Sequence, residues 1–158
     1  MTHIVKDGVR SLEFNGELIA ESSSKSRGKS RWVEFKLYRT ESDIYIVSRI
    51  GVSNIYHTES CEVTDRNRLS AVDELELSSD YTPCRDCRPV RIAPEGVYPE
   101  TPRCWAQVCQ TVKGVVAALM KEDHNGTEYL TNVARRLLEE ASHYDDEIKK
   151  AYLVEYID

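Results

Sequence analysis

Arg31-Trp32-Val33-Glu34-Phe35-Lys36-Leu37-Tyr38-Arg39 is followed by Thr40-Glu41-Ser42-Asp43 and then by Ile44-Tyr45-Ile46-Val47-Ser48-Arg49-Ile50. The first run alternates. Val33, Phe35 and Leu37 fall on one side of an extended chain, Glu34 and Lys36 on the other. The last run is rich in β-branched and aromatic side chains, which suit a pleated, half-buried surface. Four polar residues join the two, a connection short enough only for antiparallel neighbours. The stretch therefore predicts a β-hairpin over 31–50.

Upstream, Leu12-Glu13-Phe14 and Leu18-Ile19-Ala20 flank Asn15-Gly16, which reads as a turn or a bulge within one more strand. That strand and the hairpin make a three-stranded antiparallel meander. Between them, Ser22 to Ser30 is Ser-rich and basic and reads as a mobile connector. His3 lies in a terminus expected to fray.

Downstream, residues 51–102 show little periodicity, with a short element expected somewhere in Leu69 to Leu77. All five prolines, Pro83, Pro89, Pro94, Pro99 and Pro102, fall in this region and exclude long helices. Trp105, Val108, Cys109, Val112, Val115, Val116 and Leu119 then recur at helical spacing. His124-Asn125-Gly126 is read as the end of that helix and Thr127 as the cap of a second. The second helix shows an apolar face of Leu130, Val133, Ala134, Leu137, Leu138 and Ala141. A third, shorter helix is expected over Asp145 to Ala151. A terminal strand is expected over Tyr152 to Ile157, with no strand between residue 90 and that point.

Hydrophobic content is 41% and charged content 30%, values ordinary for a globular chain and against wholesale disorder. No apolar run reaches the ~18–20 residues of a membrane span, and Met1 to Gly8 lacks the apolar centre of a secretion signal. A cytoplasmic protein with no membrane partner is therefore expected. The net charge is −6, which repels phosphate backbones at long range. It is unevenly spread: residues 1–58 carry nine Lys/Arg against seven Asp/Glu, residues 59–102 five against ten, and residues 103–158 seven against ten.

Three of the five cysteines lie within residues 57–87 together with His57. His57-Thr58-Glu59-Ser60-Cys61 supplies a His-x3-Cys pair and Cys84-Arg85-Asp86-Cys87 a Cys-x2-Cys pair. Zinc takes four tetrahedral nitrogen and sulfur ligands, and a short-spaced pair lets one turn present two of them. In a reducing compartment such clusters are metal sites more often than disulfides. Zinc binding contributes roughly 10–16 kcal/mol in small modules, whereas whole domains are stable by only about 5–15 kcal/mol. One structural Zn2+ on His57, Cys61, Cys84 and Cys87 is therefore enough to order a segment with few apolar residues. The bland alternative buries the thiols as small core residues, which suits a Pro- and Arg-rich loop poorly. Cys109 reads as core and Cys104 as the start of a helix.

The letters Tyr56-His57…Cys61 and Pro83-Cys84-Arg85-Asp86-Cys87-Arg88-Pro89 resemble a small bacterial zinc module, Tyr-His-x3-Cys…Pro-Cys-x2-Cys-x-Pro, over about 34 residues. The resemblance implies a zinc-bound turn and no particular activity. His57-x-Glu59 with Pro83-Cys84-x2-Cys87 also resembles the nucleoside and cytidine deaminase signature. That likeness implies His57, Cys84 and Cys87 as ligands, Glu59 as proton carrier, and an open fourth position for water. Here Pro89 and Pro94 interrupt the helix that family places after its second motif. Cys61 offers a fourth ligand that closes the site.

Lys25, Arg27, Lys29 and Arg31 form a basic loop, and Arg85 and Arg88 flank the Cys-x2-Cys turn, so nucleic-acid contact is a third reading. The bland alternative, solvated loop charge, is the commoner fate of such residues. The expectation is an α+β protein, with an antiparallel β-meander over 1–54, a zinc-ordered loop over 55–102 and a helical pair with a terminal strand over 103–158. Its expected role is that of a non-catalytic binding or regulatory protein acting through a macromolecular partner, foremost a protein.

Overall fold

A computed structural model describes residues 1–57, 82–84 and 98–153 of the chain. Of these, 49% lie in strands and 23% in helices, so the fold is mainly β with helices at the C-terminal end, not the α+β class expected. The chain forms two compact units, one of residues 1–24, 33–50 and 104–158, the other of residues 25–32 and 51–103.

The first unit is built on five strands in the order β1-β2-β3-β4-β8. They are β1 (Thr2–Asp7), β2 (Arg10–Ser23), β3 (Arg31–Thr40), β4 (Tyr45–Ser53) and β8 (Arg103–Cys109). The expected hairpin is β3 and β4. Its turn is closed by the Thr40 N–H donating to the Ile44 carbonyl at 2.7 Å. The expected meander is its neighbour set β2-β3-β4. The terminus does not fray. β1 pairs antiparallel with β2 from Thr2 opposite Asn15 to Asp7 opposite Arg10. The His3 ring lies 4.8 Å from Tyr38 and 5.6 Å from Phe14, centre to centre.

Asn15-Gly16 is neither turn nor bulge but the middle of β2. Gly16 is required there because a Cβ would run into the Arg39 carbonyl oxygen of β3. The bulge falls later, between Leu18 and Ala20, and turns Ile19 into the core.

The sheet is curled. The Gly8 N–H in the β1–β2 turn reaches the Cys104 carbonyl of β8 at 2.8 Å, and the Ala106 N–H donates to Asp7 Oδ1 at 3.3 Å. Inside the curl, Val5, Tyr38, Ile46 and Ala106 pack with Leu12 and Phe14. On the other face Phe35, Leu37, Tyr45 and Val47 meet the helices. Both faces being covered explains why β4 reads as a nearly continuous apolar run rather than an alternating one.

The helix expected from Trp105 onward is two elements. Residues 103–109 are β8, and only Val112–Leu119 is helix α1, capped by Thr111, whose Oγ1 accepts from the Gly114 N–H at 3.1 Å. Trp105 and Cys109 share a face at either period, because a spacing of four fits a strand as well as a helix. Val108 separates the two readings: a helix would bury it, and it is 47% exposed.

His124-Asn125-Gly126 sits in a hairpin between β9 (Lys121–Glu122) and β10 (Glu128–Tyr129). Asp123 Oδ1 accepts from the N–H groups of Asn125 and Thr127 at 2.8 and 2.9 Å, and Gly126 takes φ 79°. Thr127 is thereby occupied, and Thr131 caps helix α2 (Asn132–Ser142) instead. The apolar face read for α2 is the buried one: Val133, Ala134, Leu137, Leu138 and Ala141.

Asp145 starts α3 (Asp146–Ile148), which continues as a π-helical turn over Lys149–Leu153. Tyr152 and Leu153 are thus helical rather than strand, and 154–157 lie outside the described residues. The Asp145 carboxylate is fully buried. It accepts from the Ile148 N–H at 3.1 Å, from the Tyr45 hydroxyl at 2.9 Å and from Arg39 Nη1 at 3.1 Å. One carboxylate therefore caps α3 and pins it to β3 and β4, with every charge compensated. Burial, then the bond to Asp145, raises the Tyr45 hydroxyl above the usual tyrosine value. Among the described residues no helix is long and apolar enough to cross a membrane.

Candidate metal centre

The second unit holds three very short strands, β5 (Ile55–His57), β6 (Thr82–Pro83) and β7 (Tyr98–Pro99), in the order β6-β5-β7. β5 runs parallel to β6, with Ile55 opposite Thr82 and Tyr56 opposite Pro83. It runs antiparallel to β7, with His57 opposite Tyr98. Among the described residues β6 and β7 are the outer strands of this sheet, positions at which proline is tolerated.

Asn54 organises the entry to β5. Its N–H donates to the Ser30 carbonyl at 3.0 Å, its carbonyl accepts from the Thr82 N–H at 2.8 Å, and its side-chain oxygen accepts from the Thr82 hydroxyl at 3.1 Å. One step on, the Cys84 N–H donates to the Tyr56 carbonyl at 2.9 Å, and the Glu100 N–H to the Ile55 carbonyl at 3.0 Å.

β5 ends at His57 and Cys84 directly follows β6, with the Cys84 N–H held by the carbonyl of Tyr56, the residue before His57, although 27 positions separate His57 and Cys84 in the chain. Cys84 is buried, at 7% exposure, and among the described residues no cysteine is in a disulfide. Cys61, Cys87 and Glu59 lie outside the described residues. Among those described, no three potential ligands form a group.

Cys104 and Cys109 are placed elsewhere. Cys104 lies on β8 and offers its carbonyl to Gly8. Cys109 is in the apolar core, where burial pushes its thiol up. An inert core thiol is the expected result of such surroundings.

The basic residues divide. Arg31 Nη2 holds the buried Glu100 carboxylate at 2.9 and 3.3 Å, and the Ser53 hydroxyl donates to the same carboxylate at 2.9 Å. Lys25 Nζ stands 4.9 Å above the Trp32 ring. Arg31 thus neutralises a buried acid, and Lys25 is engaged by an aromatic face. Arg85 and Arg88 lie outside the described residues.

Glu100 was not legible in advance. Its partners stand 69 and 47 positions away in sequence, and Pro99-Glu100-Thr101-Pro102 carries no local pattern that marks a buried carboxylate. β7, β8, β9 and β10 follow residue 90, where no strand was expected before Tyr152. No protein-family model, no curated protein and no solved structure matches this chain.

Proposed function

We propose that this protein is a zinc-stabilised, non-catalytic binding module that works in the reducing cytoplasm through a protein partner. His57, Cys61, Cys84 and Cys87 hold one structural Zn2+. What supports the reading, beside the ligand spacing, is the parallel β5–β6 pairing, in which the carbonyl of Tyr56, the residue before His57, accepts from the Cys84 N–H. Burial of Cys84 in a unit with few apolar residues fits a thiolate that serves a metal. Four ligands close the site, and a closed tetrahedron has no position for a reacting water. The ion then acts by holding 55–90 to the short sheet.

The test is metal content with two variants. Purified chain is expected to carry one zinc, and Cys61→Ser to lower its zinc affinity sharply. Retention of zinc by Cys61→Ser, together with ammonia release from cytidine or adenosine that Glu59→Ala abolishes, replaces this reading with a deaminase. Chain that takes up no zinc under reducing conditions sinks both.

A further inference from the structure

The second half of β2 has a strand on one side only. β1 covers β2 from Arg10 to Asn15, and its last bond runs from the Gly16 N–H to the Met1 carbonyl at 3.0 Å. β3 continues alongside from Gly16 to Ser23. The far end of the opposite edge is covered by α2. The Glu21 N–H donates to Glu140 Oε2 at 3.3 Å, the Ser22 hydroxyl to the Val133 carbonyl at 2.8 Å, and Arg136 Nη2 to the Ser23 carbonyl at 2.9 Å. Between these two covers lies Leu18. The alternation of a strand points its N–H and C=O the same way as those of Gly16, away from β3. Among the described residues β1 stops short of it.

An open groove of about 390 Å³ runs along this gap, walled by Glu17, Leu18, Glu21, Glu140 and Tyr144. Leu18 is 41% and Tyr144 74% exposed. None of the three carboxylates is in an ion pair among the described residues.

We propose that this edge receives an extended, lysine- or arginine-bearing peptide segment of the partner protein, which adds a strand in line with β1. An unpaired strand edge is a template for another backbone, and strand addition takes its affinity from main-chain bonds and its specificity from alternate side chains. Leu18 supplies the main-chain donor and acceptor together with apolar surface. Glu17, Glu21 and Glu140 select a cationic occupant. Pairing with a second copy of the same edge would bring two sets of Glu17, Glu21 and Glu140 together, and like charges close across a strand pair are destabilising. The inference deepens the binding-module reading and rests on it for the expectation of a protein partner. The groove belongs to the first unit and the metal ligands to the second, so each can fail alone.

The experiment titrates a fluorescein-labelled (Lys-Val)5 peptide into zinc-loaded full-length chain, following anisotropy and the exchange of assigned amides. Controls are (Glu-Val)5 and a backbone N-methylated (Lys-Val)5. Saturable binding of the cationic peptide alone is expected, lost on N-methylation and about tenfold weaker in Glu17→Lys/Glu21→Lys. Protection should centre on the Leu18 amide. Absence of saturable binding up to about 1 mM, the weakest affinity worth calling specific, overturns the inference. So does binding indifferent to the Glu17/Glu21 reversal, protection centred elsewhere, or self-association through β2. One zinc per chain with no peptide binding refutes the groove and leaves the metal reading standing. Peptide binding by a chain that takes up no zinc does the reverse.

Discussion

The described residues of the two units show different contacts. The first buries Leu37, Val47, Val115, Leu137, Leu138 and Ile148 completely, between a curled sheet and three helices. The described part of the second has three strands of two or three residues, a buried Glu100–Arg31 pair and a ladder through Asn54. A two- or three-residue strand is too short to be stable on its own. Hydrogen bonds contribute only about 1 kcal/mol each, net of the water they replace. On the proposed reading a structural metal adds to these forces in the second unit, so metal dependence is expected to be confined to that unit.

Substitutions can break that division or sharpen it. Cys84→Ser should act most strongly, taking away a large part of the roughly 10–16 kcal/mol a structural zinc contributes. Its effect should appear as lost zinc and loosened second-unit amides, with first-unit near-ultraviolet signals kept. Asp145→Ala comes next. It removes the cap of α3 and the buried one of Arg39's two carboxylate partners, Asp43 remaining, and it leaves the Tyr45 hydroxyl without its partner, costing about 4 kcal/mol. Denaturant midpoints should fall while zinc content stays at one per chain. Leu137→Ala, at a fully buried site, should cost about 3 kcal/mol by the same measurement and again spare the metal.

Tyr45→Phe should have the smallest effect, about 1 kcal/mol near neutral pH, and it carries a pH signature. The folded-state pKa of Tyr45 is raised above 10.0 by burial and by the bond to Asp145. Below pH 10 the hydroxyl is protonated in both states, and its stabilisation is whole. As pH rises past 10 the unfolded chain ionises first, and that stabilisation is lost. Tyr38 and Tyr152 shift in the same direction, in each case through burial first. Tyr45→Phe should therefore lose stability less steeply above pH 10 than the parent chain. Equal alkaline slopes would remove Tyr45 from this explanation.

Local pattern made some of this legible and left the rest hidden. The 31–50 hairpin and the buried face of α2 follow from periods of 2 and 3.6 that their neighbours reinforce. Residues 103–109 were misread because Trp105 and Cys109 satisfy both periods, and only the exposure of Val108 tells them apart. Asn125-Gly126 fits a helix end through its glycine and a hairpin turn through the dipeptide, and the Asp123 bonds that select the hairpin are not marked by either pattern. Asp145, Arg39 and Tyr45 converge across about 100 positions, as do Glu100 and Arg31 across 69. Nothing local announces such pairs. The spacing of His57, Cys61, Cys84 and Cys87 is a local pattern that reads as zinc ligation, whereas the parallel β5–β6 pairing carries no local signal.

Amide hydrogen exchange on the full chain, before and after zinc is stripped by a chelator under reducing conditions, probes the division most directly. The amides of Asn54, Thr82, Cys84 and Glu100 should exchange orders of magnitude faster without metal, and those of Leu37, Val47 and Leu137 should keep their protection. Unchanged protection at Thr82 and Cys84 in metal-free chain would contradict the zinc-held second unit.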